Sequence, residues 1–280
     1  MCAGILRRVQ GIDPLFQAFP ALPMLFVTLM GLIFGSFLNV CIARLPLHES
    51  IVRPPSHCPR CCKNIQARDN IPLVSYLILR GRCRNCHERI SWRYPAVEAT
   101  NAFLWLLCVL EFGFSAQASA MAVLCSLALG LAVMDAETMI LPDAFTLPGI
   151  LSGVIWSALS AGGAWPEKMR AAGLSLLWAA AAAGVILLIR AVYWYLRRQE
   201  GMGLGDVKLL AMIAAWLGPR DALLVFFLAS ISGAAYGVVC LLQQKSRTAR
   251  LPLGSFLCMA TLYAVFEGPG TASWYLGLFR

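Results

Sequence analysis

Residues 22–43 hold no charged side chain, and seven more apolar runs follow at 94–112, 117–134, 144–159, 171–195, 207–217, 222–242 and 252–267. A water-facing surface for eight such runs needs many charges. Only 13% of the 280 residues are charged, 59% are hydrophobic, and the mean hydropathy is +0.71. A soluble domain carries about twice that charge. The expected fold is all-α, a polytopic membrane helix bundle of about eight spans.

Charge predicts the orientation. The loop 44–93 carries Arg44, Arg53, Arg60, Lys63, Arg68, Arg80, Arg82, Arg84, Arg89 and Arg93 against Glu49, Asp69 and Glu88. It therefore holds +7 of the formal +9 and is expected inside, with the N-terminus outside. Residues 1–20 contain Asp13, Pro14 and Gln17 after Arg7 and Arg8, a poor secretory leader, so the first run is read as an uncleaved anchor. Counting onward puts 135–143, 196–206 and 243–251 inside. The last of these carries Lys245, Arg247 and Arg250, which agrees. That parity requires the short run 207–217 to cross. The twelve residues 207–218 rise about 18 Å, against roughly 30 Å of hydrocarbon. Its start is expected below the membrane surface, lining a wet cavity walled by protein.

The basic loop contains two pairs, Cys58 with Cys61 and Cys83 with Cys86. Each C-x2-C closes a tight knuckle that offers two corners of a tetrahedron, and two knuckles complete a closed structural zinc site. A reducing cytoplasm weighs against disulfides. His57, Cys62 and His87 stand nearby as substitute ligands. An insert of this size is too small to fold on a core alone, so metal is expected to fold it. Its positive surface suits anionic lipid heads. A nucleic-acid ribbon is the competing reading and is set aside, because basic loops beside spans are expected anyway.

Acids at the membrane are functional candidates by default. Glu98, Asp135, Glu137, Asp143 and Asp206 qualify. Asp206 ends a glycine cluster in which Gly203 and Gly205 permit a tight turn and close backbone approach. Asp135 ends the third run on the same side, which predicts a carboxylate pair. The bland alternatives are helix capping for Asp206 and for Asp143, which follows Pro142. A solvated loop position is the alternative for Glu137, and an ion pair with Arg93 for Glu98.

Four stretches together resemble the type IV prepilin leader peptidase/N-methyltransferase family, whose members are intramembrane aspartic peptidases of the GxGD type. They are GSFLNVCIARLP at 35–46, the cysteine insert through RYPAVE, MDAETMILPD at 134–143 and GMGLGDVKLLAMIAAWLG at 201–218. The resemblance implies cleavage of the basic leader of prepilins or type II secretion pseudopilins at the cytoplasmic face of the bacterial inner membrane. It also implies N-methylation of the new N-terminal residue with S-adenosylmethionine. It carries the catalytic role onto Asp135 and Asp206, and supporting roles onto Asn39, Glu98, Glu137, Pro142, Asp143 and Lys208. Gly81 and Arg82 become methylation candidates. Two departures stand out. Glu137 replaces a family aspartate, and LPLGSF at 251–256 replaces a Pro-Phe-Gly-Pro-like stretch.

The expected division is an extension at 1–21, a first span at 22–43, a zinc insert at 44–93 and a peptidase bundle at 94–280. Helix dipoles predict Asp206, at a helix start, as the base and Asp135, at a helix end, as the acid. Small residues at 179–184 offer a packing face for an apolar substrate helix. The other function that the acids allow is a proton- or cation-coupled transporter.

Overall fold

The computed structural model describes residues 21–198, 203–243 and 252–277. The extension at 1–20, Gly201 of the glycine cluster, and Lys245, Arg247 and Arg250 lie outside the described residues. Among the described residues the chain is helical, with no strand beyond two isolated bridges. The helices are α1 (Ala21–Arg44), α2 (Val74–Ile78), α3 (Arg93–Phe112), α4 (Ala116–Thr138), α5 (Asp143–Ser160), α6 (Trp165–Arg197), α7 (Leu204–Leu242) and α8 (Leu253–Gly277). All eight apolar runs fall on helix. The runs 207–217 and 222–242 share α7, which Gly218 breaks with φ 81° and ψ 178° just before Pro219. Glycine accepts that backbone, and proline can restart a helix because its missing N–H is not needed in a first turn.

Five helices are long and apolar enough to cross a membrane: α1, α3, α4, α6 and α7. A shorter apolar stretch covers Leu253–Gly268 in α8. Eight separate crossings are thus not given by helix length. The two runs of α7 form one broken element, and α5 has only 18 residues.

The chain forms two compact units, Met1–Ser126 and Leu127–Arg280. In the first, α1 packs along α3 through glycines. A Cβ on Gly31 would lie 2.6 Å from the Ala102 Cα, and one on Gly35 2.8 Å from the Glu98 Cα. Close helix contact of this kind supplies packing energy where lipid removes the hydrophobic drive. Polar side chains lock the contact. Asn101 Nδ2 donates to the Gly31 carbonyl at 2.7 Å. Ser126 Oγ lies 2.8 Å from Asn101 Oδ1, and Trp105 Nε1 donates to that hydroxyl at 2.8 Å. The sequence reading missed this network. Phe34 stacks on Trp105 with centroids 4.8 Å apart.

In the second unit, the arm of α7 before Gly218 is the core. Residues 209–216 are all buried. Gly149 and Gly153 of α5 make room for Met212 and Trp216, and Trp216 Nε1 donates to the Gly149 carbonyl at 2.8 Å. α6 meets the same arm through Ala179, which packs with Ala211 and Ala215, and through Ser175, which donates to the Ala215 carbonyl at 2.8 Å. Packing within the protein therefore occupies Ala179 and part of Ala183. Nothing lies within 4 Å of a Cβ placed on Gly184. The rest of α6 turns leucines, valines and isoleucines outward, as a lipid-facing helix does.

The two kinds of glycine give opposite expectations. Gly31→Ala forces α1 off α3 and should lower stability by about 1–3 kcal/mol. Gly184→Ala gains helix propensity and should be neutral or stabilising by up to about 1 kcal/mol. Thermal unfolding in one detergent, followed by loss of the monodisperse chromatographic peak, compares the pair directly.

Candidate active site and metal centre

The cysteine knuckles form first from local turns. Cys58 N–H donates to the Lys63 carbonyl and Cys83 N–H to the Glu88 carbonyl, at 3.0 and 2.8 Å. Bridges between His57 and Asn64 and between Arg82 and Arg89 close the two small hairpins. Each hairpin then needs a left-handed residue after its second cysteine. Cys62 (φ 56°) and His87 (φ 57°) serve there. Cys58, Cys61, Cys83 and Cys86 bring their sulfurs within 4.8 Å of one another. The Cys58 and Cys86 sulfurs are 3.7 Å apart. A tetrahedron with Zn–S bonds near 2.3 Å has edges of about 3.8 Å, so the four thiols fit zinc. The backbone N–H groups of Cys86 and Asn85 hold the Cys83 thiol down at about 7, toward the thiolate that metal needs. The three substitutes are thus outside the four-sulfur cluster, with His57 Nδ1 instead 3.2 Å from the Pro55 carbonyl.

The insert is tied down by charge at two points. Arg84 grips Asp69 with Nε at 2.8 and 3.1 Å and a second nitrogen at 2.6 Å. That guanidinium holds the Asp69 carboxyl below the usual carboxylate range. The buried Glu98 carboxylate accepts the Leu73 N–H at 2.8 Å. Glu98 therefore anchors the start of α2 to α3. Asn39 is buried and donates to the Tyr94 carbonyl at 3.0 Å. Gly81 takes a left-handed φ of 66°. Arg82 lines a cavity of about 630 Å³ with Ile78, Leu79, Arg80, Cys83, Arg84 and His87.

The second unit brings the acids together. Asp135 is 5% exposed and lies inside α4, one turn before its end. Asp206 lies in the first turn of α7, with its carboxylate beside Gly203, the residue before the helix. The two carboxylates are close enough to repel each other.

Leu141 builds the floor. After α4, Met139 takes a left-handed conformation (φ 55°) and its N–H closes on the Asp135 carbonyl at 2.9 Å. The chain then turns Leu141 inward between two glycines. A Cβ on Gly205 would lie 3.0 Å from the Leu141 Cβ, and one on Gly254 3.0 Å from its Cδ1. Gly205 is itself helical, so close approach to Leu141 accounts for it rather than a tight turn at that residue. A Cβ on Gly254 would also come within 2.9 Å of the Asp135 Cγ.

The flanking acids separate from the pair. Asp143 makes no cap hydrogen bond. It takes the Lys208 ammonium at 2.6 Å, which ties α5 to α7. Pro142 stands at the N-cap of α5, and its carbonyl accepts the Phe145 N–H at 3.0 Å. Glu137 is exposed at the end of α4. One close partner of the pair was missed. Ser255, in the first turn of α8, contacts Asp135 through both its backbone N–H and its hydroxyl. Only the departure from the family stretch at 251–256 marked it in sequence.

Known proteins are similar to this chain in two successive stretches. Residues 29–112 match the bacterial peptidase A24 N-terminal domain, and residues 122–238 match the type IV leader peptidase family. A Myxococcus xanthus protein named prepilin leader peptidase/N-methyltransferase is 43% identical over 229 residues, covering 82% of this chain and 64% of that one. An Escherichia coli protein named type 4 prepilin-like proteins leader peptide-processing enzyme is 36% identical over 275 residues, covering 90% and 96%. A Pseudomonas putida prepilin leader peptidase/N-methyltransferase is 35% identical over 277 residues, covering 89% and 92%. No solved structure matches the chain. With two matching domains in order and relatives aligned over most of their length, the chain belongs to the type IV leader peptidase family.

Proposed function

We propose that this chain is a multi-pass inner-membrane aspartic endopeptidase that removes the basic leader of type IV prepilins or type II secretion pseudopilins and then N-methylates the new N-terminus. The convergence of Asp135 and Asp206 from different helices carries the reading. The names of the relatives give it a substrate and weigh against a transporter.

In this reading one carboxylate is ionised and the other protonated, because neighbouring like charges keep both from ionising together. The ionised one takes a proton from water as its oxygen adds to the scissile carbonyl carbon. The protonated one gives its proton to the carbonyl oxygen. Collapse of the tetrahedral diol breaks the C–N bond, and the proton taken from water passes to the leaving amine. Gly203 and Gly205 keep the backbone close, while Glu137, Pro142 and the Asp143–Lys208 pair support the rim. The exposed Met139 and Ile140 offer apolar contact to the substrate helix beside the pair.

The insert at 44–93 is a scaffold folded by one structural zinc on Cys58, Cys61, Cys83 and Cys86. It lies on the cytoplasmic side with the two aspartates, and the N-terminus is periplasmic, as the basic loop supports. Residues 94–280 form the peptidase bundle. Exposed Leu77, Ile78 and Trp92 beside arginines suit contact with lipid headgroups. S-adenosylmethionine supplies the methyl group when bound. The cavity beside Gly81 has room for it, and the Arg80 and Arg82 guanidiniums match its carboxylate.

Purified protein should cut a prepilin, read as a mass shift. Asp135→Asn and Asp206→Asn should each lower the rate by at least about 100-fold. Normal cutting by either would remove that residue from the reaction. Elemental analysis should find one zinc per chain. Cys58→Ser with Cys61→Ser should lose the metal and open the insert to proteolysis between the knuckles. Full protection without metal would refute the structural zinc.

A further inference from the structure

We propose that Ser255 is a positioning residue for cleavage. It holds one oxygen of Asp135 and so turns the other toward the reaction. The inference rests on the reading of Asp135 as a reacting group and adds a residue to it.

Ser255 lies in the first turn of α8, where backbone N–H groups lack partners within the helix. Its N–H donates to Asp135 Oδ2 at 2.6 Å and reaches the Pro252 carbonyl less closely, at 3.2 Å. Its Oγ lies 2.9 Å from the same Oδ2 and 3.0 Å from the Ala132 carbonyl. One carboxylate oxygen thus meets two donors of one residue, 120 positions away in sequence.

The hydrogens can be counted. The hydroxyl has one, and two acceptors compete for it. The N–H has one, and it points at Oδ2 in either case. With Oδ2 unprotonated, it accepts both the N–H and the O–H, whether Asp135 is an anion or carries its proton on Oδ1. With Oδ2 protonated, it would donate to Oγ, the hydroxyl would turn to the Ala132 carbonyl, and the short N–H contact would face a hydroxyl oxygen. Two donors on one oxygen fit the first pattern. Oδ2 is then satisfied by α8, and Oδ1 is the oxygen left for water or for the proton shared with Asp206.

The dipoles of α4 and α7 do not describe this contact. Asp135 does lie near the end of α4, yet its carboxylate meets the N-terminus of α8. Gly254 makes this approach possible, since a Cβ there would sit 3.0 Å from Oδ2. Asp206 is close enough to repel Asp135.

The test uses the full chain in detergent, with prepilin varied to separate kcat from KM. Ser255→Ala removes the hydroxyl and keeps the N–H. Its kcat should fall about tenfold, the scale of one hydrogen bond to a charged group. KM should stay within about twofold, since such a bond acts on the reacting oxygen and not on substrate binding. Ser255→Thr restores a hydroxyl and should recover most of the kcat. Thermal unfolding of each variant reports folding. Full kcat in Ser255→Ala overturns the proposal. So does a rise in KM alone, or a loss that Ser255→Thr does not recover. Asp135→Asn runs in the same series. If it cuts normally, the reading of the pair has failed. If it is inactive while Ser255→Ala keeps full kcat, only the role of Ser255 has failed.

Discussion

Two carboxylates can stand among apolar helices only where something donates hydrogen bonds to them, and here helix N-termini do so. A helix start leaves unpaired N–H groups and a positive dipole end. Asp206 lies at the start of its own helix, beside Gly203. Asp135 uses the start of another, through Ser255. The fold must therefore bring α7 and α8 to the end of α4, and the glycines at 205 and 254 are where the chains come close enough. Leu141 fills the gap that those glycines leave. A side chain at either position would push away the helix start that Asp135 or Asp206 depends on.

The insert meets a different constraint. It has few buried side chains, and its own hydrogen bonds run mainly through turns. Four sulfurs within 4.8 Å supply the centre that a core would otherwise form. Paired charge does the outer work. Arg84 is committed to Asp69 and Glu98 to Leu73, so neither acid is spare. Glu98 drew notice in sequence as an acid inside a span. Its partners make it the joint between span and insert, a structural reason for an expensive residue at that depth.

Much of this was legible because a bilayer leaves few options. Apolar runs had to be helices, and all eight are. Their ends were less legible. The run 117–134 stops where Asp135 interrupts hydropathy, yet α4 continues to Thr138 because the helix needs only backbone pairing. The division at Gly218 was visible as Gly-Pro, while joining the two runs into one element was not. The cysteine spacing carried the metal centre, since local turns alone set each knuckle. Polar contacts between distant helices had no such signal. Nothing near Asn101 announces Ser126 or Gly31, and Ser255 is 120 positions from Asp135.

That last gap marks where the dipole reading of the two acids stops. Sequence places each carboxylate on its own helix, so it can weigh only the dipole of that helix. By that measure Asp206 is favoured as an anion and Asp135 is not. In three dimensions a side chain reaches past its own helix, and the groups at its oxygen atoms matter more than the axis beneath its Cα. A short N–H contact and a hydroxyl meet one oxygen of Asp135, and the dipole of α4 describes neither. The chemistry of a pair like this one is set by what each oxygen accepts. For Asp135 both of those donors lie on α8, the helix that carries neither acid.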